Sequence, residues 1–349
     1  MPLYKGTTEI AGGKLYKGTT EIDKVYKGSS MVYQNNISFN SHFLIAGGGA
    51  NGSPSTYNYT GNTSEQYDEV WNWAGGGAGG VRTSFAGGSP VANGGGQSLD
   101  SQLAMLTNTA YAIVIGDNGA SLGGDTSIGS LVAVGGGGNA TAYYHSQTMA
   151  SVPSNGGGGG GYSIGYTGNA GNVNQPYYPS NGGGYIAPTF VSGTYGFNGN
   201  VQNSYYKRSG GGGGAGSAAT NTPISITHTN GTPYQAMTAG GAGITSSITG
   251  SSAIYGVGGN GVYANIFVAR PAVTTPGSGG HGGGTENAYA NGGSTGFLRG
   301  PTAGTDGCVI LRFPNTRNYT ASGSPTLTTD GSDKILQWTT AGTYTITFT

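Results

Sequence analysis

The sequence predicts a mostly β and irregular chain with almost no α-helix. It would carry N-terminal β-hairpin repeats, a central glycine-rich domain of packed polyglycine-II-like helices with short strands, and a small C-terminal β module. Three observations predict this. Glycine is 74 of 349 residues and falls in runs, about three times the usual share of about 7%. The apolar residues form short pieces that alternate with period two, as strands do. Helical periodicity is all but missing; residues 98–107 are the only, short, candidate.

The first element is a tandem repeat spanning residues 1–36. It reads Leu3-Tyr4-Lys5-Gly6-Thr7-Thr8-Glu9-Ile10, then Leu15-Tyr16-Lys17-Gly18-Thr19-Thr20-Glu21-Ile22, then the diverged Val25-Tyr26-Lys27-Gly28-Ser29-Ser30. Each unit alternates around a glycine, so Lys-Gly or Gly-Thr turns a short hairpin. Ribbons this small bury no core alone. They need a partner surface, either another protein or copies of this chain. Tyr4, Lys5, Tyr16, Lys17, Tyr26 and Lys27 are the candidate anchoring residues.

The second element, residues 37–314, opens with the apolar strand Phe43-Leu44-Ile45-Ala46 running into Gly47-Gly48-Gly49. Glycine runs then alternate with strand-like pieces such as Tyr111-Ala112-Ile113-Val114-Ile115 and Leu131-Val132-Ala133-Val134, and Asp117-Asn118-Gly119 marks a turn. Flexible linkers do not alternate with strands and aromatics in this way. No Gly-X-Y period persists, which excludes collagen. Extended three-fold polyglycine helices packed side by side remain, because only glycine lets backbones approach closely on every side. Such a core is built of backbone and makes up for the scarcity of aliphatic side chains.

The third element, residues 315–349, contains the period-two strand Tyr344-Thr345-Ile346-Thr347-Phe348, with turns at Asp330-Gly331 and Ala341-Gly342. It reads as a hairpin or small sandwich capping the body.

Composition narrows the function. Lys+Arg and Asp+Glu are 13 each, the formal net charge is +0 and only 7% of residues are charged. There is no basic field for nucleic acid. With 24 tyrosines the chain is unlike a charged, solvated disordered protein. No apolar run is long enough for a membrane span, and the opening residues lack the apolar region of a signal peptide. The single Cys308 lies in an apolar run and reads as a small buried hydrophobe.

Enzymatic signatures are weak, and no enzyme activity, cofactor or metal is expected. Gly75-x-Gly77-x-x-Gly80 formally matches a dinucleotide fingerprint without a βαβ unit around it. His42, His145, His228 and His281 are scattered, and Glu65, Asp68 and Glu69 do not have the spacing of a calcium loop.

The body resembles the glycine-rich domain of bacteriophage tail-fibre and adhesin-type virion proteins. The matching stretches are the entry strand Phe43-Leu44-Ile45-Ala46-Gly47-Gly48-Gly49, Gly75-Gly76-Gly77-Ala78-Gly79-Gly80-Val81-Arg82, Ala239-Gly240-Gly241-Ala242-Gly243-Ile244, and the exit strand Gly307-Cys308-Val309-Ile310-Leu311-Arg312-Phe313-Pro314. From entry strand to exit strand the resemblance covers roughly the middle three-quarters of the chain. The Tyr-Lys-Gly repeats are similar to those of marine and cyanobacterial phage structural proteins. The resemblance implies location on the virion surface, in the tail, with attachment to other virion proteins through the repeats. It also implies homo-oligomeric assembly, a trimer in a fibre, and contact with a host glycan or surface protein.

On that reading the contact residues lie in the insertions between glycine runs. Tyr57, Tyr59, Trp71, Trp73, Tyr143, Tyr144, Tyr177, Tyr178, Tyr205, Tyr206, Lys207 and Arg208 are the candidates. Aromatic side chains give large contact area at low entropy cost. The same rings would equally serve to cover lattice edges or pack a subunit interface. Three roles follow: a host-binding fibre, a head fibre or capsid decoration protein, and, more distantly, a tail-associated depolymerase.

Overall fold

The structure is a computed structural model. It describes residues 36–52, 75–89, 91–120, 122–138, 196, 211–220, 239–261, 272–282 and 301–349, together with the backbone of further strands outside these ranges. In chain order the strands are β1 (Leu3–Lys5), β2 (Thr8–Ile10), β3 (Tyr16–Lys17), β4 (Thr20–Glu21), β5 (Lys24–Lys27), β6 (Ser30–Gln34), β7 (Ser38–Ala46), β8 (Val81–Thr83) and β9 (Gly88–Ser89). Next come β10 (Leu103–Leu106), β11 (Ala110–Ile115), β12 (Thr126–Ile128), β13 (Leu131–Ala133), β14 (Pro223–Thr227), β15 (Pro233–Thr238), β16 (Ile244–Ser246), β17 (Ala253–Tyr255) and β18 (Gly261–Val262). The last are β19 (Gly284–Glu286), β20 (Phe297–Arg299), β21 (Cys308–Pro314), β22 (Tyr319–Ala321), β23 (Thr326–Asp330), β24 (Asp333–Trp338) and β25 (Gly342–Phe348). The described residues hold no α-helix, so the fold is mostly β with irregular connections.

Each N-terminal repeat pairs with itself. β1 joins β2, β3 joins β4 and β5 joins β6, and each pair forms its own two-stranded sheet. The innermost pairs are Lys5↔Thr8, Lys17↔Thr20 and Lys27↔Ser30, at matching positions of the three repeats.

The body is layered around a central sheet ordered β10-β7-β21-β24-β23, with β8 also on β7. Strand alternation sends its side chains into two cores. Phe39, Phe43, Ile45, Val309, Leu311, Phe313, Leu336 and Trp338 face a second sheet, ordered β13-β12-β11-β25-β22, and meet its Ile113, Ile115, Ile128, Ile346 and Phe348. Leu44, Ala46, Cys308, Ile310 and Ile335 face the opposite way, against Ile244, Ile248 and Tyr255, which belong to or follow the small sheet β17-β16-β9. β7 and β21 are therefore buried on both faces, which explains their continuous apolar runs. Phe39, Phe313 and Phe348 stack edge to face at centroid distances of 4.9 Å at one end of the larger core.

The one short helix candidate and the C-terminal cap take definite form here. Residues 98–107 are not helical: Leu103–Leu106 is strand β10, paired with β7 from Leu103↔Ser41 to Leu106↔Ser38. The free edge of a long central strand outcompetes weak local helix propensity. The C-terminal stretch is β, as expected, but its strands are built into the body's sheets. β24 lies between β21 and β23, and β25 lies between β11 and β22. Residues 315–349 thereby contribute Ile335, Leu336, Trp338, Ile346 and Phe348 to the two cores.

At one end of these layers the strands pass directly, or within a residue, into glycine segments. β7 leads into Gly47, β11 into Gly116, β13 into Val134-Gly135 and β17 into Gly256; glycine segments lead into β8, β16 and β21. These segments form the expected backbone lattice, and the three-fold repeat is visible in the bonding. Gly47 and Ala50 donate to Gly80 and Gly77, and Gly49 and Gly52 donate to Thr305 and Thr302. Likewise Gly76 and Gly79 donate to Gly280 and Gly277, Gly77 and Gly80 to Gly137 and Val134, and Ala78 to Gly213. Each third residue meets the same neighbour, as a three-residue turn requires. A Cβ at Gly48 would sit 2.0 Å from the Asp117 carbonyl oxygen, and one at Gly79 2.0 Å from that of Gly47. That spacing admits glycine alone.

Candidate functional site

The layers and the lattice give the body two distinct ends. At one end β7 begins beside the chain's C-terminus: Ile37 and Thr107 exchange hydrogen bonds, and Asn108 donates to the Phe348 carbonyl at 2.7 Å. The N-terminal repeats join the body at this end. At the other end lies the outer rim of the lattice. The chain leaves the rim at Gly52, residue 138, residue 220, Val262 and Gly282, and returns at Gly75, Gly211, Ala239, residue 272 and residue 301. The hairpin β14–β15 belongs to one of these excursions, and β15 pairs with β18, the outward continuation of the segment from Gly256. The hairpin β19–β20 belongs to another.

Polar side chains tie the rim together where the glycine runs end. Thr302 Oγ1 accepts the His281 amide at 2.7 Å, and the Thr302 amide donates to the His281 carbonyl at 3.0 Å. His281 Nδ1 accepts the Asn260 amide at 2.9 Å, and Asn260 Oδ1 accepts the Gly240 amide at 2.9 Å. A side-chain acceptor thus takes over from a backbone carbonyl at the ends of successive segments. Sequence reasoning missed this belt. Its signal was a polar residue that interrupts or ends a glycine run: His281 within residues 279–284, Asn260 after Gly258-Gly259.

The aromatic candidates fall in the excursions. Tyr57, Tyr59, Trp71 and Trp73 belong to the one between Gly52 and Gly75. Tyr143, Tyr144, Tyr177, Tyr178, Tyr205, Tyr206, Lys207 and Arg208 belong to the one between residue 138 and Gly211. All of them lie outside the described residues, as do Glu65, Asp68, Glu69, His145 and His228. The anchoring candidates occupy matching strand positions: Tyr4 and Lys5 on β1, Tyr16 and Lys17 on β3, Tyr26 and Lys27 on β5.

Several groups that sequence alone marks as chemical are structural. The glycines of the formal dinucleotide fingerprint spend the amides of Gly76, Gly77, Gly79 and Gly80 on other lattice segments, so no phosphate cradle is left there. His42 Nδ1 lies 3.4 Å from Ser84 Oγ, but Ser84 Oγ accepts the Phe43 amide and His42 Nε2 meets Gln102. Arg312 packs over the Phe85 ring at 5.1 Å and bonds Asp333 and Asp330 at 2.8 Å each. Burial lowers its pKa, and the two carboxylates more than reverse this, leaving it above the ordinary value. Cys308 is fully buried, and burial pushes its thiol up to about 12. A polar cleft of about 340 Å³ beside the lattice includes Asp306. That carboxylate already accepts the Asn118 and Ala341 amides at 3.0 Å each. Among the described residues no group of His, Cys, Asp and Glu could hold a metal, and no helix is long and apolar enough to cross a membrane.

Comparisons with protein-family models, with curated proteins and with solved structures give no match.

Proposed function

We propose that this chain is a non-enzymatic bacteriophage virion protein, a tail-fibre or adhesin-type subunit that attaches to the host surface. The observation that carries this reading is the polar layout of the body. The Tyr-Lys-Gly repeats enter at one end, and the aromatic-rich excursions are anchored at the opposite rim. Repeats at the near end would join other virion proteins; excursions at the far end would meet a glycan or surface protein. A rigid base lowers the ordering cost that each contact must overcome, and several copies would add weak contacts through avidity. The alternative role, a head fibre or capsid decoration protein, places the same aromatics against neighbouring subunits.

The test is binding of the full chain to host cells, with Tyr205→Ala/Tyr206→Ala as comparison. Saturable binding that the folded double variant loses supports attachment through that excursion. No binding at any reachable concentration transfers the reading to the particle-stabilising role.

A further inference from the structure

Most sheet edges of the body are blunted. Asn93 Oδ1 accepts the Thr83 amide and the Asp100 amide donates to the Thr83 carbonyl, which covers β8. Tyr111 Oη takes the Leu106 amide of β10, Arg82 donates to the Val132 carbonyl of β13, and β22 is only three residues long. β9 and β17 are only two and three residues long, and short edges are poor templates. β23 differs. It closes one side of the central sheet, residues 326–329 are exposed, and among the described residues no backbone or side-chain group bonds its outer side.

The apolar pattern also runs off this edge. Phe43, Leu311, Leu336 and Leu327 stand opposite one another on consecutive strands β7, β21, β24 and β23. The first three have no exposure and Leu327 has 49%. The row ends where the sheet ends.

We propose that β23 is a self-association edge: a second copy of this chain pairs its own β23 antiparallel to it, about a two-fold axis at Thr328. The register follows from the turn. β23 and β24 are joined through Gly331-Ser332, with Asp330↔Asp333 flanking the turn. In such a hairpin the flanking pair is hydrogen-bonded and bonding alternates from there. Thr326, Thr328 and Asp330 therefore bond inward, and Leu327 and Thr329 present their amides and carbonyls outward. Centring the axis on Thr328 sets Leu327 of one copy against Thr329 of the other, twice, so every outward group is paired. Centring it on Leu327 sets Thr329 against Pro325, which has no amide to give. Charge agrees with the chosen register. Asp330 is already paired with Arg312 at 2.8 Å and would face Thr326, so no like charges stand directly opposite. A closed two-fold pair of identical edges is also self-limiting. The contact is a strand pair alone and well below the roughly 1,000 Å² of a stable interface. It therefore acts as a weak link that other joints of the assembly reinforce. It is independent of the host-attachment reading.

The register makes a sharp test in the full chain. Thr328 faces Thr328 as a non-hydrogen-bonded pair with Cα atoms about 4.5 Å apart, within disulfide reach. Native Cys308 is buried and does not compete. Under mild oxidation at about 100 µM, Thr328→Cys should form an interchain disulfide in most of the protein. Thr326→Cys, which would face Asp330, should form little. Sedimentation should show concentration-dependent pairing of the native chain that Thr329→Pro weakens at least tenfold, with circular dichroism unchanged. If Thr329→Pro fails to fold, the cysteine pair decides alone. Equal cross-linking of Thr328→Cys and Thr326→Cys overturns the proposal, as does a trimer without the Thr328→Cys disulfide.

Discussion

Asn51 and Asn118 grip one glycine from both of its backbone groups. Asn51 Oδ1 accepts the Gly304 amide at 2.7 Å, and Asn118 Nδ2 donates to the Gly304 carbonyl at 2.7 Å. Gly304 belongs to the segment that leads into β21, so the two amides pin the lattice to the central sheet. Asn51→Leu and Asn118→Leu should each lower the unfolding free energy by about 1–2 kcal/mol, since each leaves a backbone group unpaired. The double variant should cost less than the sum, because both act on one residue. Chemical denaturation reads the three values; strict additivity would show that the two amides act separately.

Lattice glycines should be far less replaceable than turn glycines. Gly79→Ala drives a methyl to within 2.0 Å of the Gly47 carbonyl oxygen, with backbone on both sides. Neither side can yield without moving a segment, so the cost should be about 3 kcal/mol or more. Gly129 has φ +57° and open space where its Cβ would go. Gly129→Ala pays only the left-handed strain, about 1–2 kcal/mol. Thermal unfolding of the two variants should rank them in that order. A Gly79→Ala protein as stable as Gly129→Ala would contradict the close-packed backbone.

Alkaline pH should destabilise the body through Cys308. Its folded pKa stands at about 12, above the ordinary 9.0, because burial disfavours the thiolate. The unfolded chain releases this proton first, so stability is intact below about pH 9 and falls as pH rises from about 9 towards 12. Tyr255 is shifted upward by burial too and acts in the same direction. Cys308→Ala should reduce the slope of stability against pH in this window. The native thiol should also resist alkylation at pH 8 until the protein is unfolded. A thiol that reacts at the rate of a free cysteine would show that the site is open.

Ending the chain at Pro314 should abolish folding of the whole body rather than remove a cap. Residues 315–349 supply Ile335, Leu336, Trp338, Ile346 and Phe348 to two cores. Each buried side chain contributes about 1.5–3 kcal/mol, and the set matches the 5–15 kcal/mol that domains have in total. Circular dichroism and protease resistance of the truncated chain check this. A protease-resistant product would make the last strands an independent module.

What the sequence made legible follows from how local each cause is. The glycine runs announce the lattice because no other residue tolerates a carbonyl 2.0 Å from its Cβ position, as at Gly48. The short unbroken apolar run Phe43-Leu44-Ile45-Ala46 announces a strand, and its burial on both faces explains why the run is unbroken. Pairing partners are long-range and leave no local trace. Nothing near Ala110 shows that it pairs with Thr347, nor anything near Leu103 that it pairs with Ser41. The rim was legible as insertions but not as a belt. Asn260, His281 and Thr302 become neighbours only once three separate segments lie side by side.

The bonding of the lattice has a consequence for how this molecule can vary. Most of its hydrogen bonds run from backbone to backbone, with side chains such as Asn51, Asn118, Asn260, His281 and Thr302 adding to them, and none of the bonds described depends on what the excursions contain. An excursion can be lengthened, shortened or exchanged for another at the cost of loop closure, which grows only slowly with length. The scaffold therefore separates heredity of shape from heredity of surface. Mutation can search freely at the far end, while the glycines that hold that end in place stay almost immutable.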